Sequence, residues 1–330
     1  MKNHLTFICT KDIHYAGQNP KARTDDYQAA LTAKIREIFS LAEKIDADGI
    51  LVAGDLFDSF YTTLPVVAEF AALLKESPCP IYTIAGQHDE ESHNPASLRR
   101  APYGLLVRLG IVRDVAGLSW VVWTGKQEGP TVRITGRHYD WEVDKDDGYY
   151  NVPENEESRE YDFNIHLAHG TLVDHHPPFD RYTHVDQLQT NADVLVVGDY
   201  HPGIGIIKKD RTLIVDPGGL ARQHAKPSDM TRPVQVAVLR VTAEGCTAEL
   251  VPLECASPGS EVLSRDHIEE KDAREDRIGK FLGLLKDDSA RRFAETREIM
   301  DALALEQGVE LPVIAEALIW VAKAREESGR

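Results

Sequence analysis

The stretch Ala85-Gly86-Gln87-His88-Asp89-Glu90-Glu91, AGQHDEE, decides how this chain is read. It follows Pro80-Ile81-Tyr82-Thr83-Ile84, an apolar run that predicts a buried strand. A glycine, a carboxamide, a histidine and a carboxylate then come in a row where the strand runs out. Alone, His88 reads as a surface or hydrogen-bonded histidine. The reading turns on whether other strands end in the same way.

They do. Leu5 to Cys9 predicts a short strand, and KDIH after it carries Asp12 and His14. Residues two apart in extended chain point the same way, so both side chains can reach one cation. Gly49 to Ala53 predicts a strand buried on both faces, followed by Asp55 and Asp58 in AGDLFD, where Gly54 permits a sharp turn. LAHG supplies His169, and VVGDYH supplies Asp199 and His201. Each group is weak evidence alone, whereas five of them at predicted strand ends point to a metal centre. Carboxylate and imidazole donors without thiolate suit Mn²⁺, Fe²⁺, Zn²⁺ or Mg²⁺. Two such ions a few Å apart activate water and stabilise in-line displacement at phosphorus.

Working outward, Thr24 to Ala47, Leu64 to Lys75 and Arg99 to Leu109 predict helices between the early strands. That alternation predicts a largely parallel or mixed α/β sheet. From Ser119 to Leu253 short strands dominate, at Ser119–Trp123, Thr131–Thr135, Phe163–Ala168, Val194–Val197, Ile204–Ile207, Leu213–Val215, Val234–Val241 and Ala248–Leu253. The expected fold is therefore α/β, with two packed mixed β-sheets flanked by helices. Asp140 to Glu160 is acidic and reads as a solvated loop. Glu254 to Glu261, with Pro258 and Gly259, reads as a linker, dividing the chain into a domain over 1–258 and a helical tail over 259–330. Apolar stripes mark the tail at Ile278, Phe281, Leu282 and Leu285, and at Ile314, Leu318, Ile319 and Val321.

The 330 residues are 42% hydrophobic and 28% charged, the balance of a globular protein. No apolar stretch reaches the roughly 20 residues of a membrane span, and Met1-Lys2-Asn3-His4 carries no signal-peptide pattern, so the expected location is the cytoplasm. Cys9, Cys79, Cys246 and Cys255 lack CxxC spacing, which argues against a thiolate zinc site and a disulfide framework. A net charge of −17 argues against holding nucleic acid by a broad basic face, yet is compatible with engaging phosphates through bound metal.

The ordered strand-end groups resemble the calcineurin-like metallophosphoesterases, whose pattern is D-x-H, GD-x-x-D, GNH-D/E, a His-Gly and GH-x-H. The likeness runs from about Leu5 to Leu253. Within that family the chain looks most like SbcD-type DNA exonucleases. The stretches that carry this are GDLFDS, HDEESHNPASLRRAPYGLLVRLGIV, NIHLAHGTL and DPGGLAR. The resemblance implies two divalent ions, Mn²⁺ ahead of Mg²⁺, Fe²⁺ or Zn²⁺. Asp12, His14 and His201 would hold one, Asp55 would bridge, and His169, Gln87 and Asp199 would hold the other. His88 would donate a proton to the leaving oxygen or stabilise the transition state, oriented by Asp58. Arg222 would touch substrate phosphate or form a structural salt bridge. The implied partners are DNA, an SbcC-like SMC-type ATPase docked on the tail, and a second copy in a homodimer. The tail packed on its own core is the other reading. Activity on small phosphodiesters or phosphomonoesters, and a catalytically weak partner-binding role, are the alternatives.

Three residues depart from the pattern. Gln87 stands for asparagine, Asp199 for the first histidine of GH-x-H, and Lys11 for a small residue before Asp12. Gln87 keeps the carboxamide oxygen on a longer arm. It either ligates the second ion or only forms hydrogen bonds. Lys11 either pairs locally or attracts phosphate. His166 differs in strand parity from His169 and is expected to point away from the site.

Overall fold

The computed structural model describes residues 3–117, 120–123, 129–145, 148–153, 161–266, 274–275, 277–278, 304 and 310–328. One sheet contains β1 (Leu5–Thr10), β2 (Gly49–Ala53), β3 (Ile81–Ile84), β4 (Arg113–Asp114), β13 (Gln235–Thr242) and β14 (Gly245–Pro252), in the order β14-β13-β1-β2-β3-β4. The second contains β5 (Trp120–Trp123), β6 (Thr131–Arg137), β7 (Phe163–Gly170), β10 (Val194–Asp199), β11 (Gly205–Lys209) and β12 (Thr212–Asp216), in the order β11-β12-β10-β7-β6-β5. A small ribbon pairs β8 (Leu172–Val173) with β9 (Thr183–His184). The inner strands of both sheets run parallel, and β13, β14, β5 and β11 pair antiparallel.

The pleat explains the layering, because successive side chains face opposite sides. Phe7 and Cys9 join Leu51, Tyr82 and Ile84 against Ile134, Ile165, Leu167, Val194 and Val196 of the second sheet. Ile8, Ile50, Val52 and Ile81 face the other way, onto α1 (Tyr27–Lys44), α2 (Leu64–Leu74) and α3 (Pro102–Arg108). A third cluster, with Tyr139, Val143, Tyr149 and Tyr150, covers the outer face of the second sheet. Each large apolar side chain so buried contributes about 1.5–3 kcal/mol.

Helix α1 is shorter than its periodicity predicts. Asp26 caps it by accepting from Ala29 N, and the preceding Thr24 instead donates to Val262 O. The stretch expected as a helix from Arg99 is a 3₁₀ turn, Pro95–Arg100, followed by α3. Pro102 lacks an amide hydrogen and opens α3 rather than continuing the turn.

Two compact units are present, Met1–Ser264 and Arg265–Arg330. The expected linker is not extended. After α4 (Pro227–Thr231), the chain reaches α5 (Gly259–Val262), and Leu263 pairs with Arg23 while Ser264 N donates to Ala22 O. The first unit therefore runs six residues past the expected boundary at 258, because buried Val262 and Leu263 belong to it. In the second unit α6 spans Leu311–Ser328, with Ile319 and Trp320 exposed. Phe281, Leu282 and Leu285 of the expected stripe lie outside the described residues. No helix of the described residues is long and apolar enough to cross a membrane.

Candidate metal centre

The segments that follow β1, β2, β3, β7 and β10 meet at one edge of the two sheets. After β1 and β2 the chains zip together, with Asp12 N donating to Gly54 O, His14 N to Asp55 O and Tyr15 N to Leu56 O. In the second sheet β7 and β10 pair in parallel with His169 opposite Gly198, so Asp199 and His201 follow on beside His169. Three groups of donors form, Asp12–His14–His201, Asp12–Asp55–His169 and His14–Asp55–His88, each with its ligand atoms within 4.8 Å of one another. Asp12, Asp55 and His14 each belong to two groups, so the cluster is continuous.

The backbone is strained where the ligands sit. Asp12, His14, Asp55 and Asp199 have φ of 48°, 47°, 51° and 84°, in the left-handed region. Such conformations cost on the order of 1–3 kcal/mol each and persist where surrounding structure holds them. Gly54 has φ of 87°, and a Cβ there would lie 2.1 Å from His169 Nδ1. A Cβ on Gly198 would lie 1.8 Å from Ala53 O. These two glycines let His169 Nδ1 approach the Ala53 carbonyl at 2.8 Å.

The residues fit divalent cations. His169 Nδ1 must carry hydrogen to donate to Ala53 O, so Nε2 is the nitrogen that a cation, either a proton or a metal, can occupy. Asp55 Oδ2, Gln87 Oε1 and His169 Nε2 are buried with no hydrogen-bond partner among the described residues, as is Asp12 Oδ2, which has Lys11 Nζ at 3.6 Å. Orphaned acceptors of this kind are costly unless a cation faces them. His14 Nε2 and His201 Nε2 lie 3.0 Å apart, a separation met either by one ring N–H donating to the other or by a metal ion bound to both. His169 Nε2 lies 3.4 Å and His14 Nε2 3.5 Å from Asp55 Oδ2. Burial alone would push the Asp55 carboxyl up, yet His169, with His14 and His88, outweighs it and holds Asp55 well below the carboxylate range. Burial likewise opposes charge on His169, but Asp55, Asp12 and Asp199 raise it to about 10. The cluster thus attracts positive charge, and its donors are oxygen and imidazole nitrogen.

Several predicted roles change. The Asp58 carboxylate does not orient His88. Its Oδ1 lies 3.3 Å from His14 Nδ1 and accepts from Gln223 Nε2, so it orients a metal-type ligand. His88 Nδ1 instead lies 2.8 Å from the main-chain carbonyl of Asp58. A carbonyl only accepts, so Nδ1 carries hydrogen and Nε2 is left for chemistry. Asp89 is a clamp. Its Oδ2 accepts from Leu56 N and Gly86 N at 3.1 Å and its Oδ1 from Phe57 N at 3.0 Å, tying the loop of Asp55 to the loop of His88. Lys11 is fully buried, donating to Asp216 Oδ1 at 2.7 Å and Tyr200 O at 2.9 Å, and so pairs locally. Among the described residues Arg222 forms no ion pair with a carboxylate. Its Nη1 donates to Ser257 O at 2.6 Å and its Nη2 to Arg232 O.

Arg222 belongs to a strap. Gly219 N, Leu220 N and Ala221 N donate to His201 O, Lys11 O and Asp12 O, which fixes the segments bearing two candidate ligands. The opposite carbonyls are held by cations, Gly219 O and Ala221 O by Arg232, Leu220 O by Lys34 and Arg222 O by Arg23. His166, as its parity predicts, points away and meets Thr135 Oγ1 at 2.9 Å. Sequence reasoning missed Thr171, Gln223 and Lys34, whose partners lie far away in the chain, and Arg232, which reaches back to Ala221 O and Gly219 O. It also missed Glu90, 4% exposed, whose carboxyl is raised to about 8 by burial and then by Asp89.

The calcineurin-like phosphoesterase family model matches residues 5–203. Among curated proteins the chain is similar to the uncharacterized metallophosphoesterase YhaO of Bacillus subtilis strain 168, 24% identical over 243 residues, which are 68% of this chain and 55% of that protein. The chain thus spans about half the length of that relative. Among solved structures it is similar to a dimetal phosphatase from Danio rerio, with a TM-score of 0.48 and 10% identity over 75% of this chain and 96% of the other. It is also similar to the purple acid phosphatase PPD1 of yellow lupin seeds, with a TM-score of 0.47 and 13% identity over 76% and 52%. Both TM-scores are below 0.5, so the assignment rests on the sequence match, which covers more than half of the chain and every candidate metal ligand described above. The chain belongs to the calcineurin-like phosphoesterases.

Proposed function

We propose that this protein is a metal-dependent phosphodiesterase acting on DNA, the nuclease subunit of an SbcCD-like assembly. The observation that carries the reading is the continuous donor cluster, with exposed His88 at its rim. Asp12, His14 and His201 would hold one divalent ion, with Asp55 shared and His169, Gln87 and Asp199 on the side of a second. A bound pair of such ions neutralises phosphate charge and lowers the pKa of water. His88 presents Nε2 toward the leaving oxygen and donates a proton there, while the Asp58 carbonyl fixes the ring through Nδ1. The Asp89 clamp and the 219–222 strap hold these groups in place before substrate arrives.

The cleft beside His88 has a volume of about 230 Å³ and is lined by Asp58, Phe60, Tyr61, Gln87, Glu90 and His93. Pockets that enclose whole small molecules run to about 300–1,000 Å³. The cleft is open to the surface, which admits a phosphodiester within a longer chain as well as a small ester. The net charge of −17 favours a second reading, a small phosphodiester or phosphomonoester. Hydrolysis of linear DNA beside bis-p-nitrophenyl phosphate, each with Mn²⁺, separates them. DNA cleavage supports the first reading, cleavage of the model ester alone supports the second, and inactivity on both rejects phosphodiesterase function. The unit from Arg265 is the proposed docking site for a coiled-coil ATPase. Truncation after Ser264, which spares the buried Val262 and Leu263, should leave ester hydrolysis intact and abolish ATPase association.

A further inference from the structure

Gln87 and Asp199 are 112 residues apart in the chain, yet Gln87 Nε2 donates to Asp199 Oδ1 at 2.6 Å. The other carboxylate oxygen, Oδ2, accepts from the Thr171 hydroxyl. Both Asp199 oxygens are therefore engaged, and Asp199 appears in none of the three donor groups. Its main chain is tied to the centre separately, since Asp199 N donates to Asp12 Oδ1 at 3.1 Å.

A carboxamide has a donor end and an acceptor end. With Nε2 committed to Asp199, Gln87 Oε1 is turned the other way, buried and without a hydrogen-bond partner among the described residues. A buried acceptor left so is unfavourable, and a facing cation removes the cost. Asp55 Oδ2 and His169 Nε2 are left in the same condition, 3.4 Å from each other. A glutamine arm is flexible, and ordering it costs entropy unless something holds its end.

We propose that Asp199 is a positioning residue that anchors the Gln87 amide, so that Gln87 Oε1 joins Asp55 and His169 in holding the second cation. The two side chains then work as one ligand, with the carboxylate behind the carboxamide. This deepens the two-cation reading and rests on it. It also divides the work between residues that the spacing placed side by side as ligands.

The test is calorimetric titration of the full chain with Mn²⁺ up to millimolar concentration, with folding checked by circular dichroism. Wild type should take up two ions. Asp199→Ala should weaken the second by about 10–100-fold, the usual effect of losing a residue that orients a ligand, and leave the first unchanged. Asp199→Asn keeps a carbonyl that accepts from Gln87 Nε2 and should stay close to wild type. The double variant Gln87→Ala/Asp199→Ala should match Gln87→Ala, because Asp199 acts through Gln87. A further loss in the double variant, or an Asp199→Asn as weak as Asp199→Ala, would make Asp199 a ligand by its charge and overturn the inference while the two-cation reading stood. If Gln87→Ala leaves no second ion to measure, the asparagine variant decides alone. Uptake of one ion by wild type would overturn the two-cation reading together with the inference.

Discussion

Replacing Lys34 by methionine should stabilise the protein in mild acid, destabilise it in alkali and lower activity in both. Lys34 is 4% exposed on α1, and its Nζ donates to Leu220 O at 3.0 Å. Burial, then Arg23, Arg222 and Arg232, lower its pKa from 10.5 to about 7. That difference is worth roughly 5 kcal/mol against the charged form. Below pH 7 the folded and unfolded chains both carry the charge, and the whole penalty is present. Between about pH 7 and 10.5 the unfolded chain alone binds this proton, so stability rises by about 1.4 kcal/mol per pH unit. Lys34→Met removes the penalty but leaves Leu220 O without its donor, at a cost of about 1–3 kcal/mol. The variant should be about 2–4 kcal/mol more stable than wild type at pH 6. It should be about 0.5–2 kcal/mol less stable at pH 10, crossing over near pH 9. Leu220 N holds Lys11 O beside Asp12, so a loosened strap should lower turnover even where the variant is the more stable protein. Urea unfolding of both proteins in chelator from pH 6 to 10 measures the difference, and distant titrations cancel in it. A difference that does not change with pH, or a variant less stable at pH 6, would refute the reasoning.

His88→Ala should lose about 10²–10⁴ in turnover of bis-p-nitrophenyl phosphate while binding Mn²⁺ as wild type does, whereas Asp55→Ala should lose both; equal metal loss in the two would contradict this division. Asp89→Ala strips three buried amides of their acceptor and should cost at least about 3 kcal/mol in urea unfolding, with activity falling as the two loops separate. Burial, then Arg137 and Arg133, depress His166 from 6.5 to about 3, so the unfolded chain binds this proton first as pH falls. Stability should therefore drop by about 1.4 kcal/mol per unit from pH 6.5 toward 3, and His166→Met should remove that part of the acid slope.

The strands longer than two residues, most of the helices and the order of ligands along the chain were legible in the sequence, whereas the two-residue β4, β8 and β9 were not. These features are local. A buried strand is an apolar run, a capped helix is a 3.6-residue period, and a ligand pair after a strand is a spacing of two. Asp12 with His14, Asp55, His169 and His201 could therefore be placed at strand ends before any fold was known. The parity argument that turned His166 away from His169 was of the same kind.

What each side chain meets was decided by the tertiary structure. Asp58 reaches His14 and Gln223 rather than giving its carboxylate to His88. Arg222, within the strap, spends its charge on the main-chain carbonyls of Ser257 and Arg232, and Lys34 donates to that of Leu220. Gln87 and Asp199, two separate departures from a pattern when read in line, turn out to be one hydrogen-bonded pair. The physical reason is that sequence periodicity sets the direction of a side chain from its own strand or helix. Its partner depends on how two sheets close over one edge, bringing together residues more than a hundred positions apart. At that distance direction is no guide, and a carboxylate can serve a metal, an imidazole or an amide with equal chemistry until packing selects one.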